Sequence, residues 1–146
     1  PLSKNINIKI LKTMTYNEKI ISMNNDLLDH QHKELFEISK KLSLMNQCHV
    51  GTKELKIVLR ELLIMINRHF SDEEAFMREI GYPYINHHTR IHRKIILEIE
   101  EIIISEAKFV NIMTEKLNLV VQDFIFKHTA KEDSKIVKYY EEKFKK

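Results

Sequence analysis

The stretch TKELKIVLRELLIMINRHFSDEEAFMREIGYP (52–83) decides the fold, because it contains a long amphipathic helix together with its start and stop signals. Thr52 and Glu54 are residue types that open helices, whereas Gly81 and Pro83 are types that end them. Between these ends, mostly apolar residues recur every three or four positions, which is the spacing of one helical face. That face comprises Leu55, Leu59, Leu62, Ile66, His69, Glu73, Phe76 or Met77, and Ile80. The stretch therefore predicts one helix of a bundle.

The rest of the chain contains three further amphipathic stretches. They predict helices over about 24–47, 84–107 and 110–144, of which the last is either one long helix or a helix followed by a short fifth one. The connections between them are a few residues long, and the chain has only two Gly and two Pro, too few for the turns of a β protein. We therefore predict an all-α fold, an up-down-up-down four-helix bundle.

The length of 146 residues is that of one domain, so we predict a single domain over 1–146. Residues 1–23 lack a firm period and are interpreted as an N-terminal arm, and residues 24–146 as the bundle. Lysines are dispersed among acidic residues at a formal net charge of +3, which disfavours a nucleic-acid partner. The opening PLSKNINIKILK has no continuous apolar region and no apolar run is long enough for a bilayer, so we expect a cytoplasmic protein without a membrane partner.

Ionisable side chains interrupt the apolar face of each predicted helix. His69 and Glu73 are four residues apart and therefore share one helical face, and His88 and His92 repeat that spacing. The complete set is His32, His69, Glu73, His88, His92, His128 and Asp133. Taken singly, each has an ordinary explanation. A lone His on an apolar face is more often packed or hydrogen-bonded than a ligand, and a His–Glu pair at this spacing is usually a surface pair.

Taken together, the seven side chains favour a metal site. Distances along antiparallel helices place His32 level with His69, and His92 level with His128. Burying so many polar groups without partners is unfavourable, whereas cations bind neutral imidazoles and ionised carboxylates. Seven donors exceed what one ion takes, so we predict two ions bridged by carboxylates, and mixed imidazole and carboxylate ligands suit iron. Two octahedral ions have about twelve coordination positions, of which two bridging carboxylates and five imidazoles fill nine. A shared oxo or hydroxo bridge would take two more and leave one position open for a small molecule such as O2.

Several polar neighbours of these residues fall on other faces. The partner of His87 four residues on is Ile91, whereas that of His88 is His92, so spacing selects His88 as the donor. By the same argument His30, Asp72 and Glu74 are predicted to face solvent. His128 and Asp133 are five residues apart, which is awkward for an ideal α-helix, so we expect a locally loosened helix or a long reach by Asp133.

At these residues the chain resembles the hemerythrin family, particularly bacterial hemerythrin-like domains. The matching motifs are LLDHQHKELF (27–36), HFSDEEAFM (69–77), GYPYINHHTRIH (81–92) and HTAKED (128–133), and TYNEK (15–19) is similar to the N-terminal arm of the family. The motifs occur in order and with matching internal spacing. The resemblance implies a non-haem di-iron protein that binds O2 reversibly, without turnover, and is not an enzyme.

The resemblance also implies a role for each donor. One iron would be bound by His88, His92 and His128, the other by His32 and His69, with Glu73, Asp133 and an oxo or hydroxo group bridging the two. O2 would bind at the iron with two His, both irons would pass from ferrous to ferric, and the dioxygen would be held as hydroperoxide. Phe124 and Ile125 match positions that line the O2 pocket of the family. Thr129 stands where an aliphatic residue is usual, and Ile136 where many members have Tyr, which puts the polarity of that pocket in question.

One function other than carrying, storing or delivering O2 stays open. The same site could sense O2, NO or redox state in a domain excised from a signalling protein, with an output domain or protein partner that the sequence does not identify. A ferritin-like di-iron enzyme is disfavoured, because its Glu-x-x-His motif does not occur in the chain.

Overall fold

The computed structural model describes residues 22–47, 51–104 and 122–145. These residues form helix α1 over Asp26–Gln47, α2 over Thr52–Ile80, α3 over Ile85–Ile104, a π-helix over Gln122–Asp133 and α4 over Ser134–Phe144. No strand occurs within the three described ranges, so the predicted all-α class is confirmed. The predicted N-terminal arm lies outside the described residues except for its last two, and the extent of the single domain stays a prediction.

The predicted ends of α1 and α2 are confirmed. Helix α3 begins one residue later than predicted, at Ile85, whereas its predicted end at Ala107 and the predicted start of a fourth helix near Val110 lie outside the described residues. Helix α1 packs against α2, α2 against α3, and α3 against the π-helix. Helices α1, α2 and α3 follow one another through short connections (48–51 and 81–84) and are neighbours, so each runs antiparallel to the one before, as predicted for an up-down-up-down bundle. Within the described part of the chain, no helix combines the length and apolar character needed to cross a bilayer.

The start of α1 is fixed by side-chain caps. Oδ1 of Asn25 accepts a hydrogen bond from the backbone N–H of Leu28 at 3.1 Å, which satisfies one of the free donors of the first helical turn. Asp29 reaches back in the opposite direction, where it accepts bonds from the backbone N–H of Met23 and the hydroxyl of Ser22, each at 2.7 Å. These caps hold the first turn of α1 in place, and the predicted metal donor His32 lies in the next turn of the same helix.

The end of α2 is fixed by a left-handed glycine and by side chains from α4. Gly81 has φ +70°, and its N–H donates to the carbonyl of Arg78 at 3.2 Å. The hydroxyl of Tyr139 donates to the Gly81 carbonyl at 3.0 Å, and the ammonium of Lys143 donates to the Ile80 carbonyl at 2.9 Å. A cation at a helix C-terminus also interacts favourably with the helix dipole. Two hydrogen bonds from side chains of α4 therefore hold it against the C-terminal end of α2.

Replacing Gly81 with Ala is expected to lower the free energy of unfolding by about 1–2 kcal/mol, because a Cβ is unfavourable at a positive φ. Gly81→Asn provides a matched control, since it adds the same Cβ beside Lys143 but Asn tolerates a left-handed backbone better than Ala does. Urea unfolding of the two variants measures the difference. Equal losses of stability in both would contradict the argument.

Two apolar clusters form the core. The larger cluster joins α1, α2 and α3 around Leu35, Phe36, Leu59, Ile66 and Ile99, each of which is at most 1% exposed. The smaller lies at the other end of the bundle and contains Met23, Leu28, Phe76, Met77, Ile80, Tyr82 and Ile136. Along α1, α2 and α3, the predicted metal donors fall between residues packed in the first cluster and residues packed in the second. The donors therefore form a polar layer closed at both ends by hydrocarbon.

The π-helix accounts for the spacing between His128 and Asp133. In an α-helix, residues five apart are rotated by roughly 140° from one another, whereas the i→i+5 hydrogen bonds of a π-helix bring them near one face. The segment Gln122–Asp133 is π-helical over 12 residues, and both side chains are buried. The locally loosened helix predicted from the sequence is confirmed.

Candidate metal centre

The structure brings all seven predicted donors together in the layer between the two apolar clusters. Each donor residue is at most 2% exposed. Helix α1 supplies His32, α2 supplies His69 and Glu73, α3 supplies His88 and His92, and the π-helix supplies His128 and Asp133. Their ligand atoms fall into two groups, each within a span of 4.8 Å, and the groups share Glu73 and Asp133.

The first group, which we call the three-histidine half, contains His88, His92 and His128 with the two carboxylates. Oε1 of Glu73 lies 2.7 Å from Nε2 of His88 and 3.0 Å from Nε2 of His92. Oδ1 of Asp133 lies 3.1 Å from Nε2 of His88 and 3.0 Å from Nε2 of His128. All three imidazoles therefore direct the same ring nitrogen, Nε2, towards a common point.

The second group, the two-histidine half, contains His32 and His69 with the same carboxylates. Oε2 of Glu73 lies 3.3 Å from Nε2 of His69 and 3.8 Å from Nε2 of His32. Oδ2 of Asp133 lies 3.4 Å from Nε2 of His32. Each carboxylate thus directs one oxygen to each half, which is the arrangement of a bridging ligand.

Buried atoms without hydrogen bonds indicate that the donors suit cations. Among the described residues, Nε2 of His69, Oε2 of Glu73, both ring nitrogens of His32 and both carboxylate oxygens of Asp133 make no hydrogen bond. Such groups are costly unless something else satisfies them. Separations near 3 Å also match adjacent ligands of one ion, because bonds of about 2.1 Å place octahedral neighbours about 3 Å apart. The residues therefore fit two cations, and five imidazoles favour a transition metal over Ca²⁺ or Mg²⁺.

Burial and close contact act in opposite directions on the ionisation of the donors. Burial opposes ionisation of Glu73, yet hydrogen bonds from the surrounding imidazoles hold its pKa well below its usual range. Burial likewise opposes ionisation of Asp133, and contact with His128 lowers its pKa nonetheless. Burial lowers the pKa of His32, but the two carboxylates raise it to about 9. For His69 burial prevails and the pKa is lowered. The folded chain therefore presents two ionised carboxylates, the form that binds a cation.

Two residues that spacing did not identify lie behind His69. Oε1 of Gln31 is 3.0 Å from Nδ1 of His69, and Nε2 of Gln31 donates to Oδ2 of Asp72 at 2.7 Å. Asp72, predicted to face solvent, is half-buried and belongs to this hydrogen-bonded chain, so that prediction was wrong. Glu74 was also predicted to face solvent, but it is half-buried and its Oε2 lies 3.9 Å from Nδ1 of His92. The only sequence signal for Gln31 was its position beside a donor on α1.

An aromatic ring separates part of the site from the core. Phe70 is 2% exposed and stacks face to face on the imidazole of His92, with ring centroids 3.7 Å apart and planes 4° from parallel. Its ring also lies 5.8 Å from the rings of His69 and His128. Phe70 therefore limits the rotation of His92 and keeps water from one side of the donors. Apolar spacing alone had no means of distinguishing it from ordinary core residues.

The remaining predicted residues divide into three cases. His87 and His30 are exposed, with His87 3.9 Å from Glu132 and His30 2.6 Å from Glu34, so neither joins the donors. The side chains of Phe124 and Ile125 lie outside the described residues. Thr129 and Ile136 are buried at 1% and 0% exposure, and Ile136 belongs to the smaller apolar cluster.

Comparison with known proteins indicates one family, the hemerythrins. The family model of the hemerythrin HHE cation binding domain matches residues 23–140. A bacteriohemerythrin of Campylobacter jejuni serotype O:23/36 is 99% identical over 133 residues, which are 91% of this chain and all of that protein. A bacteriohemerythrin of Clostridium acetobutylicum is 29% identical over 77% of this chain and 90% of that protein, and one of Stenotrophomonas maltophilia is 26% identical over 74% and 69%. No solved structure matches the chain.

Proposed function

Because the chain belongs to the hemerythrin family and is therefore a non-haem iron protein that binds O2, we propose that it binds O2 reversibly at two iron ions and carries, stores or delivers it. The single observation that best supports two ions is the sharing of Glu73 and Asp133 between two groups of imidazoles. One ion would leave one of the two groups of imidazoles buried without a partner. The function proposed is binding and release, not turnover.

We propose the following ligands for the two ions. His88, His92 and His128 bind one iron, His32 and His69 bind the other, and Glu73 and Asp133 bridge them. The half with two His has one ligand fewer from the protein, so it offers the open position for O2. When bound, the iron pair would supply the two electrons that reversible binding of O2 in reduced form requires.

The chain contributes a dry and rigid setting for this chemistry. Hydrocarbon closes both ends of the donor layer, and Phe70 covers the face of His92. Exclusion of water and of stray protons slows the loss of reduced oxygen and thereby favours reversible binding over autoxidation. Phe124 and Ile125 are proposed to line the remaining side of the O2 pocket.

Titration of the metal-free chain with ferrous iron without oxygen, followed by exposure to air, tests the proposal. We expect two irons per chain and a visible absorption band that forms with O2 and fades when O2 is removed. Zinc provides a control, since it should occupy the same donors but, without redox chemistry, give no band with O2. A stoichiometry of one iron, or continuous consumption of O2 and reductant, would overturn the proposal.

A further inference from the structure

The hydrogen-bonded chain behind His69 has a defined direction. The carboxylate of Asp72 only accepts hydrogen bonds, so the amide NH2 of Gln31 must face it across the 2.7 Å contact. The amide oxygen of Gln31 then faces His69, 3.0 Å from Nδ1, and an oxygen acceptor requires a hydrogen on that ring nitrogen. Nε2 of His69 is left with its lone pair, directed at the donor layer. Asp72 thus determines the tautomer of His69 through Gln31.

This chain of bonds supports a donor of the two-histidine half. Among the described residues, Nδ1 of His88 and Nδ1 of His92 have no hydrogen-bond partner. Oε2 of Glu74 lies beside Nδ1 of His92, but at 3.9 Å it is too far away for a hydrogen bond. The two-histidine half has fewer protein ligands, and it contains His69, whose outer hydrogen bonds extend through Gln31 to Asp72.

We propose that Gln31 and Asp72 are positioning residues that hold His69 in its metal-binding tautomer and thereby secure the metal ion of the two-histidine half. The inference rests on the proposed function, because it assigns the outer residues to one of the two proposed iron positions. An outer carboxylate that accepts from a metal-bound imidazole fixes the ring and strengthens its donor nitrogen. Gln31, 3% exposed, would transmit this effect from a half-buried acid to a buried ligand.

Asp72→Ala tests the relay with little risk to folding, because Asp72 is only half-buried. We expect one of two irons to be lost to a competing chelator about 10- to 100-fold more readily than in the wild type. In the metal-free chain at neutral pH, the ¹⁵N shifts of His69 should change from one tautomer to a mixture, which a purely structural role would not produce. Glu79→Ala, an exposed acid on the same helix, is the matched control and should change neither measurement.

A paired exchange provides the rescue. Gln31→Glu alone places a second carboxylate against Asp72 at the 2.7 Å contact, and should weaken iron retention by repulsion. Adding Asp72→Asn restores a donor at position 72 and an acceptor at position 31, so the double variant should recover most of the wild-type retention and the His69 tautomer. A double variant no better than Gln31→Glu would contradict the relay.

The outcomes separate the two proposals. If the wild-type chain fails to bind two irons, the proposed function fails. If the wild type binds two irons and Asp72→Ala releases them as slowly as Glu79→Ala does, with an unchanged His69 tautomer, the relay is overturned while the proposed function stands. Loss of both irons at the same increased rate would also overturn the assignment to a single half.

Discussion

Glu73→Gln is expected to abolish binding of both irons, because the two oxygens of Glu73 face different halves of the site. Oε1 lies 2.7 Å from Nε2 of His88, whereas Oε2 lies 3.3 Å from Nε2 of His69. Gln has nearly the same size but offers one oxygen and no negative charge. Loss of an outer partner of a ligand typically weakens metal binding by about 10- to 100-fold, so loss of a shared direct ligand should cost more. Ferrous iron titration without oxygen should give fewer than one iron per chain in the variant.

His30→Ala is the control for this experiment. Its imidazole is 68% exposed and pairs with Glu34 on the same helix. His30 itself lies two residues before the proposed ligand His32. This variant should bind two irons as the wild type does. The proposed bridge is wrong if Glu73→Gln retains two irons at wild-type affinity, or if His30→Ala loses iron to the same degree.

Removal of iron is expected to lower the stability of the fold substantially. A ligand that binds only the folded state stabilises it by about 3 kcal/mol at one hundred times its dissociation constant, and by more at tighter binding. For a chain of this size, 3 kcal/mol corresponds to a fall in melting temperature of about 10 °C. The physical reason is the donor layer, in which Glu73 and Asp133 are 0% exposed and some buried atoms make no hydrogen bond among the described residues.

Thermal unfolding before and after treatment with a chelator measures this effect. Glu73→Gln provides the reference, since a variant that holds no iron should show the same melting temperature with and without chelator. Re-addition of ferrous iron without oxygen should restore the wild-type value. An unchanged melting temperature after complete iron removal would show that the donors are satisfied by protein contacts alone.

Helical spacing predicted the site well wherever a pair of donors lies on one α-helix. His69 with Glu73, and His88 with His92, are four residues apart, and this spacing alone places both members on one buried face. The same rule separated His88 from its neighbour His87, which is exposed. The heights predicted along antiparallel helices agree with the convergence of His32 on His69, whose ring centroids are 4.5 Å apart.

Contacts between helices were not predictable in the same way. Gln31 reaches Asp72 across the α1–α2 interface, and whether two such residues meet depends on the rotation of each helix about its axis. Helical periodicity gives the face of a residue only to within one residue, so it assigned Asp72 to solvent. The stacking of Phe70 on His92 was not predictable for a related reason. A phenylalanine packed in the core and one stacked on an imidazole follow the same apolar spacing.

The π-helix has a consequence for how the chain tolerates insertions and deletions. His128 and Asp133 are one residue further apart than the donor pairs of α2 and α3, as if a single inserted residue had been absorbed by a wider coil rather than by a loop. Deleting any one residue between them would leave a separation of four, which an ordinary α-helix accommodates with both donors on one face. Tyr139 and Lys143 follow Asp133 at an unchanged spacing, so they would keep their orientation and still reach the end of α2. The π-helix is therefore a place where the chain can lose one residue without losing the register of its donors or of its C-terminal anchor.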